Sequence, residues 1–212
     1  MNTVHFVRHG ENPANLTREF SCRVVDYPLT ERGIAQAQAT ARYFRDKDIA
    51  AIYSSPLRRA QQTAEIIATT LRLPVRMIEA FREVNVGSLE LQPPCEDNWA
   101  LHDRIFADWA SGQASSRFPD GEDHTMLVQR MRQGLHEVLR DHDERHIVIV
   151  AHGGILAATA GSICENVAPD PSGHMPLIPN CGVTRLRLEL HDGMARGVLE
   201  AWAESDHLTD CG

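Results

Sequence analysis

Residues 4–12 read Val-His-Phe-Val-Arg-His-Gly-Glu-Asn. The run Val4–Val7 is dominated by apolar and β-branched residues, the signature of a buried strand, and it stops abruptly at Arg8-His9-Gly10. A buried strand with this ending sets a guanidinium, an imidazole and a residue that lets backbone approach a ligand at its carboxyl end. The same device recurs twice. A short apolar stretch at 50–53 runs into Ser54-Ser55-Pro56-Leu57-Arg58, and the most apolar stretch, Ile147–Ala151, runs into His152-Gly153-Gly154. In open α/β sheets, ligands collect just beyond the carboxyl ends of the strands. The three endings therefore predict one site.

Helical periodicity separates these strands. Thr30 sits where an N-cap belongs, ahead of Ile34, Ala37, Ala41 and Phe44 at helical spacing. Ala60, Ala64, Ile67 and Leu71 mark a second helix, and Leu127, Met131, Leu135 and Val138 another. Val75–Ile78 is a third strand candidate. Near the end, Leu186, Leu188 and Leu190 alternate with Arg185, Arg187 and Glu189. Asp192-Gly193 then supplies a hairpin turn into a final strand around 198–202. This order predicts a three-layer α/β/α fold, with a mostly parallel sheet and an antiparallel edge strand. The expected organisation is a single domain over 1–212 with a cap-like insertion at about 87–122. That insertion has a different texture, with Pro93, Pro94, Pro119-Asp120-Gly121 and a short helix around Trp99 to Trp109, whose aromatic side chains are expected to pack.

Charge and composition narrow the function. A formal net charge of −8 on 212 residues argues against a nucleic-acid surface or an anionic membrane as partner. A local basic pocket in an acidic protein would instead concentrate a small anion. The five cysteines are scattered with no Cys-x-x-Cys pair, so neither a disulfide framework nor a zinc site is supported, and no metal is expected. The strand begins at once and Arg8 interrupts its apolar run, unlike a signal peptide. A cytoplasmic protein is the expectation. Oligomeric state is not readable.

The chemistry follows if the three strand ends meet. Arginine forks match phosphate oxygens and stay charged. A neutral imidazole is a competent nucleophile toward phosphorus, and a covalent intermediate splits a hard displacement into two easier ones. Arg8, Arg58 and a protonated His152 would hold the developing charge. Glu83, in Phe81-Arg82-Glu83-Val84, is the best-placed proton donor for the leaving oxygen. Arg59 reads as solvated, and His102, His124, His136, His142 and His146 read as solvent-facing.

VRHGENPAN, DYPLTERG, SSPLRRAQQTA, FREVNVGSLE and VIVAHGG occur in that order from Val4 to about Trp202. This set resembles the histidine phosphatase superfamily, also called the phosphoglycerate mutase-like family, in its phosphatase branch. The resemblance implies a phosphoglycerate mutase-like fold and a phosphohistidine at His9. It further implies a phosphate pocket completed by Arg8, Arg58 and His152, a phosphate contact from Asn15, and Glu83 as the acid that becomes the base activating water. No cofactor is implied. Two departures stand out. Cys22-Arg23 replaces a Gln-Gly or Thr-Gly pair of many relatives, which suggests that Cys22 and Arg23 border the substrate. Glu90-Leu91 replaces a Glu-Gly pair. The mutases have a longer insertion with an arginine pair, absent here, so the expectation is a phosphomonoesterase acting on a small phosphorylated metabolite. A cofactor-dependent phosphoglycerate mutase and a non-catalytic phosphate-binding module are the alternatives.

Overall fold

The computed structural model describes residues 1–167 and 176–209. In chain order they form β1 (Asn2–Arg8), the short α1 (Pro13–Thr17), α2 (Glu31–Phe44), β2 (Ile49–Ser54), α3 (Arg58–Leu71) and β3 (Val75–Met77). There follow α4 (Glu96–Ala110), α5 (His124–Leu139), β4 (His146–Ala151), α6 (Gly153–Ile163), β5 (Val183–His191) and β6 (Met194–Glu204). The six strands lie in one sheet in the order β3-β2-β4-β1-β5-β6. Pairings among β1 to β4 are parallel, β5 pairs antiparallel with β1, and β6 pairs antiparallel with β5 at the edge, so the sheet is mostly parallel with an antiparallel edge as expected.

Alternation along the strands divides the core. Val4 and Phe6 of β1, with Ile147 and Ile149 of β4, face Leu127, Met131 and Leu135 of α5 and Ile155 of α6. Val7, Val148 and Val150 face the other way, against Phe44 of α2 and Ala60, Ala64 and Ile67 of α3. Each large side chain so buried contributes about 1.5–3 kcal/mol. Ile34 departs from the pattern. It is exposed, and α2 buries the small Ala37 and Ala41 in its place. The sequence reading omitted α6. Its opening glycines and near-uniform apolarity leave no 3.6-residue stripe to detect, because the helix is apolar all round.

Register positions the site. Arg8 pairs with Ala151 and Ser54 with Val150, so His9 and His152 lie level one residue beyond β1 and β4, and Ser55, one residue beyond β2, lies at the level of Ala151. The first loop then passes tightly over α2. A Cβ on Gly10 would lie 2.6 Å from the Gly33 carbonyl oxygen, and one on Gly33 would lie 2.1 Å from that of Glu11. Only glycine permits this contact. The segment 87–122 carries a short 3-10 helix (Gly87–Leu91) and α4. Ile105, Trp109 and Phe118 from it join the same apolar cluster as α5 and β1.

Candidate active site

His9 is 3 % exposed, and its Nδ1 lies 2.8 Å from the Gly10 carbonyl oxygen. A carbonyl only accepts, so Nδ1 carries the proton and Nε2 keeps its lone pair. Burial, then Arg59, then Arg8 hold the ring well below the usual histidine range, and it is neutral at pH 7. The Gly10 N–H donates to Thr63 Oγ1 at 3.0 Å, fastening the turn after His9 to α3.

Arg58 does not reach the pocket. It is exposed at the start of α3, where its backbone N–H donates to the Asp26 carboxylate at 2.9 Å. Arg59 takes the place predicted for it and is 2 % exposed. The reason is helical phase. Arg59, Thr63 and Ile67 are spaced by four and share the buried stripe of α3, a signal the sequence already held. Arg59 Nη1 and Nη2 donate to the Ser21 hydroxyl and carbonyl at 2.9 and 2.8 Å, and Nη2 also donates to His152 Nδ1 at 3.1 Å. Burial brings its pKa down to about 10, which leaves it charged at neutral pH.

His152 also differs from expectation. It accepts from Arg59 at Nδ1, so its proton is on Nε2, 2.7 Å from Ser55 Oγ. Burial first, then Arg59, hold it well below the ordinary value, so the ring is neutral where a protonated one was expected. It stands wholly buried behind His9, with ring centroids 5.2 Å apart. Positive charge on the cavity side thus comes from Arg8 and Arg59. Arg8 donates to the Ile178 carbonyl, and burial lowers its pKa while Glu83 partly offsets that.

Glu83 is fixed by backbone. Its Oε1 accepts from the N–H groups of Val84 and Ile155 at 2.9 and 2.8 Å, and Oε2 accepts from Gly154 at 3.1 Å. Two of these donors belong to the first turn of α6, where free N–H groups favour an acidic partner. A Cβ on Gly154 would lie 2.8 Å from Glu83 Oε1, so glycine is what lets the carboxylate in. Behind it, Arg130 Nη1 donates to the carbonyls of Ala80 and Arg82 at 2.7 Å, and Nη2 to that of Glu83 at 3.1 Å. Glu122 grips Arg130 through both carboxylate oxygens, at 2.5 and 2.9 Å, so this pair supports the segment that carries Glu83.

Arg8, His9, Asn15, Arg59 and Glu83 line one cavity of about 150 Å³, with Cys22 and Ser21 at its side. Asn15 spends its amide oxygen on Asn12 N–H and Asn180 Nδ2, at 3.1 and 3.0 Å, which turns the amide group into a donor. Cys22 is buried, and burial, reinforced by Glu90, pushes its thiol up to about 12. Arg23 lies elsewhere. It borders a neighbouring cavity of about 290 Å³ with Glu79, Arg82 and Glu137, and Glu83 stands between the two. Trp99 and Phe106 of α4 pack against the core as expected and also line the first cavity, and His102 lines it with them where a solvent-facing histidine was expected. Among the described residues, no cluster of three or more His, Cys, Asp or Glu is placed to hold a metal ion. Nor is any helix among them long and apolar enough to cross a membrane.

A sheet whose level strand ends present a lone-pair imidazole, two guanidinium groups and a carboxylate defines an α/β enzyme of phosphatase or mutase type. The chain belongs to the histidine phosphatase superfamily (branch 1), whose family model matches residues 4–201. A probable phosphoglycerate mutase of Yersinia pestis is 32% identical over 98% of this chain and 95% of its own. A mycobacterial glucosyl-3-phosphoglycerate phosphatase superposes with a TM-score of 0.80 at 25% identity, over 97% of this chain and 100% of that one. Phosphoserine phosphatase from Entamoeba histolytica superposes with a TM-score of 0.78 at 26% identity, over 98% and 100% respectively.

Proposed function

We propose that the chain is a phosphomonoesterase that works through a phosphohistidine at His9. The observation that supports it most is the tautomer lock, Nδ1–H to Gly10, which leaves Nε2 as the ring's only nucleophilic atom beside Arg8 and Arg59. Nε2 attacks phosphorus, the bond from phosphorus to the ester oxygen breaks, and protonated Glu83 gives its proton to the departing alkoxide. The resulting carboxylate takes a proton from water. The hydroxide so formed attacks phosphorus, the N–P bond breaks, and inorganic phosphate leaves with His9 restored. Arg8 and Arg59 neutralise the equatorial oxygens in both steps. His152 and Ser21 hold the Arg59 fork in plane.

The test is a panel of phosphate esters assayed for released phosphate, with His9→Ala as the blank, together with acid quench after mixing. An acid-labile phosphoenzyme in the parent and none in His9→Ala is the expected result. Phosphate release undiminished in His9→Ala refutes the mechanism. The mutase reading is favoured by the Yersinia relative. It predicts 2-phosphoglycerate from 3-phosphoglycerate and a bisphosphoglycerate primer, faster than phosphate is released.

A further inference from the structure

Part of the lining of the His9 cavity is made of rings. Phe20 and Trp99 have centroids 4.4 Å apart, Trp99 and His102 4.9 Å, and His102 and Phe106 4.5 Å. Residues 99, 102 and 106 follow each other down one face of α4. Val84 and Val86 complete the apolar lining. Two polar atoms of this wall are already engaged. Trp99 Nε1 donates to the Arg18 carbonyl at 3.0 Å, and His102 Nδ1 sits 2.9 Å from the Asp103 carboxylate. Trp109 and Phe118 back Phe106, with centroids 5.1 and 6.3 Å away.

Charge is distributed unevenly around the same cavity. Among the described residues the cations that line it are Arg8 and Arg59, both close enough to His9 to act on its charge, while the exposed Arg18 lies outside the lining with its guanidinium carbon 5.3 Å from the Trp99 ring centroid. Glu19 is the charged side chain that lines the cavity next to Phe20, and it accepts from the Thr17 hydroxyl at 3.0 Å. A substrate carboxylate or second phosphate entering here would meet ring faces and the Glu19 charge, at a desolvation cost that only the exposed Arg18 beside Trp99 could offset. A ring or hydrocarbon would gain both area and stacking.

Resting on the phosphomonoesterase reading, we propose that Phe20, Trp99, His102 and Phe106 form the subsite for the leaving alcohol. The subsite selects monoesters of uncharged, ring-bearing alcohols over those whose alcohol carries a second anion. The structural relatives named above act, by their names, on phosphoserine and glucosyl-3-phosphoglycerate, so the proposal sets this chain apart from them in specificity.

Benzyl phosphate, glycerol 1-phosphate, phosphoserine and 3-phosphoglycerate all leave as aliphatic alkoxides, so their rates report recognition rather than leaving-group strength. The expected kcat/KM for benzyl phosphate exceeds that for glycerol 1-phosphate by about tenfold and that for the two carboxylate esters by more. Trp99→Ala or Phe106→Ala lowers the benzyl-to-glycerol ratio by about tenfold, chiefly through KM, whereas Trp99→Phe retains it. Equal or greater kcat/KM for phosphoserine or 3-phosphoglycerate overturns the proposal. Binding reads the subsite without turnover. Calorimetry should show benzylphosphonate binding more tightly than 3-phosphonopropionate, and the reverse order also overturns it. Should no ester release phosphate while benzylphosphonate still binds preferentially, the hydrolytic reading falls and the subsite stands.

Discussion

Arg58 and Arg59 are neighbours in sequence, yet about 100° of helix rotation separates their side chains. One lies in solvent, and the other is held by Ser21 and His152 at the wall of the cavity. Arg59→Ala removes a fixed charge from the developing phosphoryl group and should lower kcat/KM by about 10²–10³-fold. Arg58→Ala should stay within about threefold of the parent, since the Asp26 contact of residue 58 uses the backbone N–H. Steady-state phosphate release from the two variants decides which arginine serves the site, and a larger loss in Arg58→Ala would reverse the assignment. Motif matching located the Leu-Arg-Arg stretch and favoured Arg58, the arginine that lies in solvent, over the buried Arg59. Counting back by fours from Ile67 through Thr63 makes the choice. The neutrality of His152 could not be read this way, because it depends on a donor 93 residues away in sequence.

At the scale of elements, the loop before α2 is shaped by a residue from far along the chain. Glu90 Oε1 accepts from the backbone N–H groups of Cys22, Arg23, Val24 and Val25 at 2.6, 2.7, 3.0 and 3.1 Å. Burial alone would raise the pKa of this carboxyl, but these donors overcome it and hold the group below the usual carboxylate range. Glu90, the residue of the Glu90-Leu91 pair that keeps the relatives' glutamate, thus holds the backbone at the Cys22-Arg23 departure. Glu90→Ala leaves the donors without an acceptor and should cost about 3 kcal/mol. In a chain of this length that is about 6–12 °C in Tm, readable by calorimetry. Proteolytic nicking near residues 22–25 should accelerate in parallel, and an unchanged Tm would show that water replaces the carboxylate at no cost. Strand ends and amphipathic helices were legible because each carries its own period. This contact was not, because nothing local in a glutamate reports which distant backbone it will meet. The aromatic wall on α4 was seen as helical spacing, and only its neighbours reveal that one side faces a cavity.

Across the whole molecule, buried neutral histidines tie stability to pH. Burial is the first cause in each of His5, His9 and His152, and His5 is brought down from 6.5 to about 3. Above pH 6.5 these rings are neutral in folded and unfolded chains alike, and their contribution to stability is fully present. Below it the unfolded chain takes up protons that the folded chain refuses, so stability falls as pH drops, for His5 down to about 3. Each such histidine adds a slope of about 1.4 kcal/mol per pH unit at full effect. The urea midpoint should decline steadily from pH 7 to 5, and His5→Gln should make that decline shallower. A midpoint flat across the interval would mean that the rings are solvated. The anchoring of Glu83 to the first turn of α6 has a consequence of another kind. His152, Gly154 and Ile155 are consecutive or nearly so, which couples Glu83, the proposed proton donor, to the buried imidazole of His152 within one turn of chain. The rings of the proposed alcohol subsite sit elsewhere, Phe20 after α1 and Trp99, His102 and Phe106 on α4, covalently remote from that turn. If they select the alcohol, reactivity and taste are carried on separate pieces of the polypeptide, and substitutions in the second should leave the first in tune.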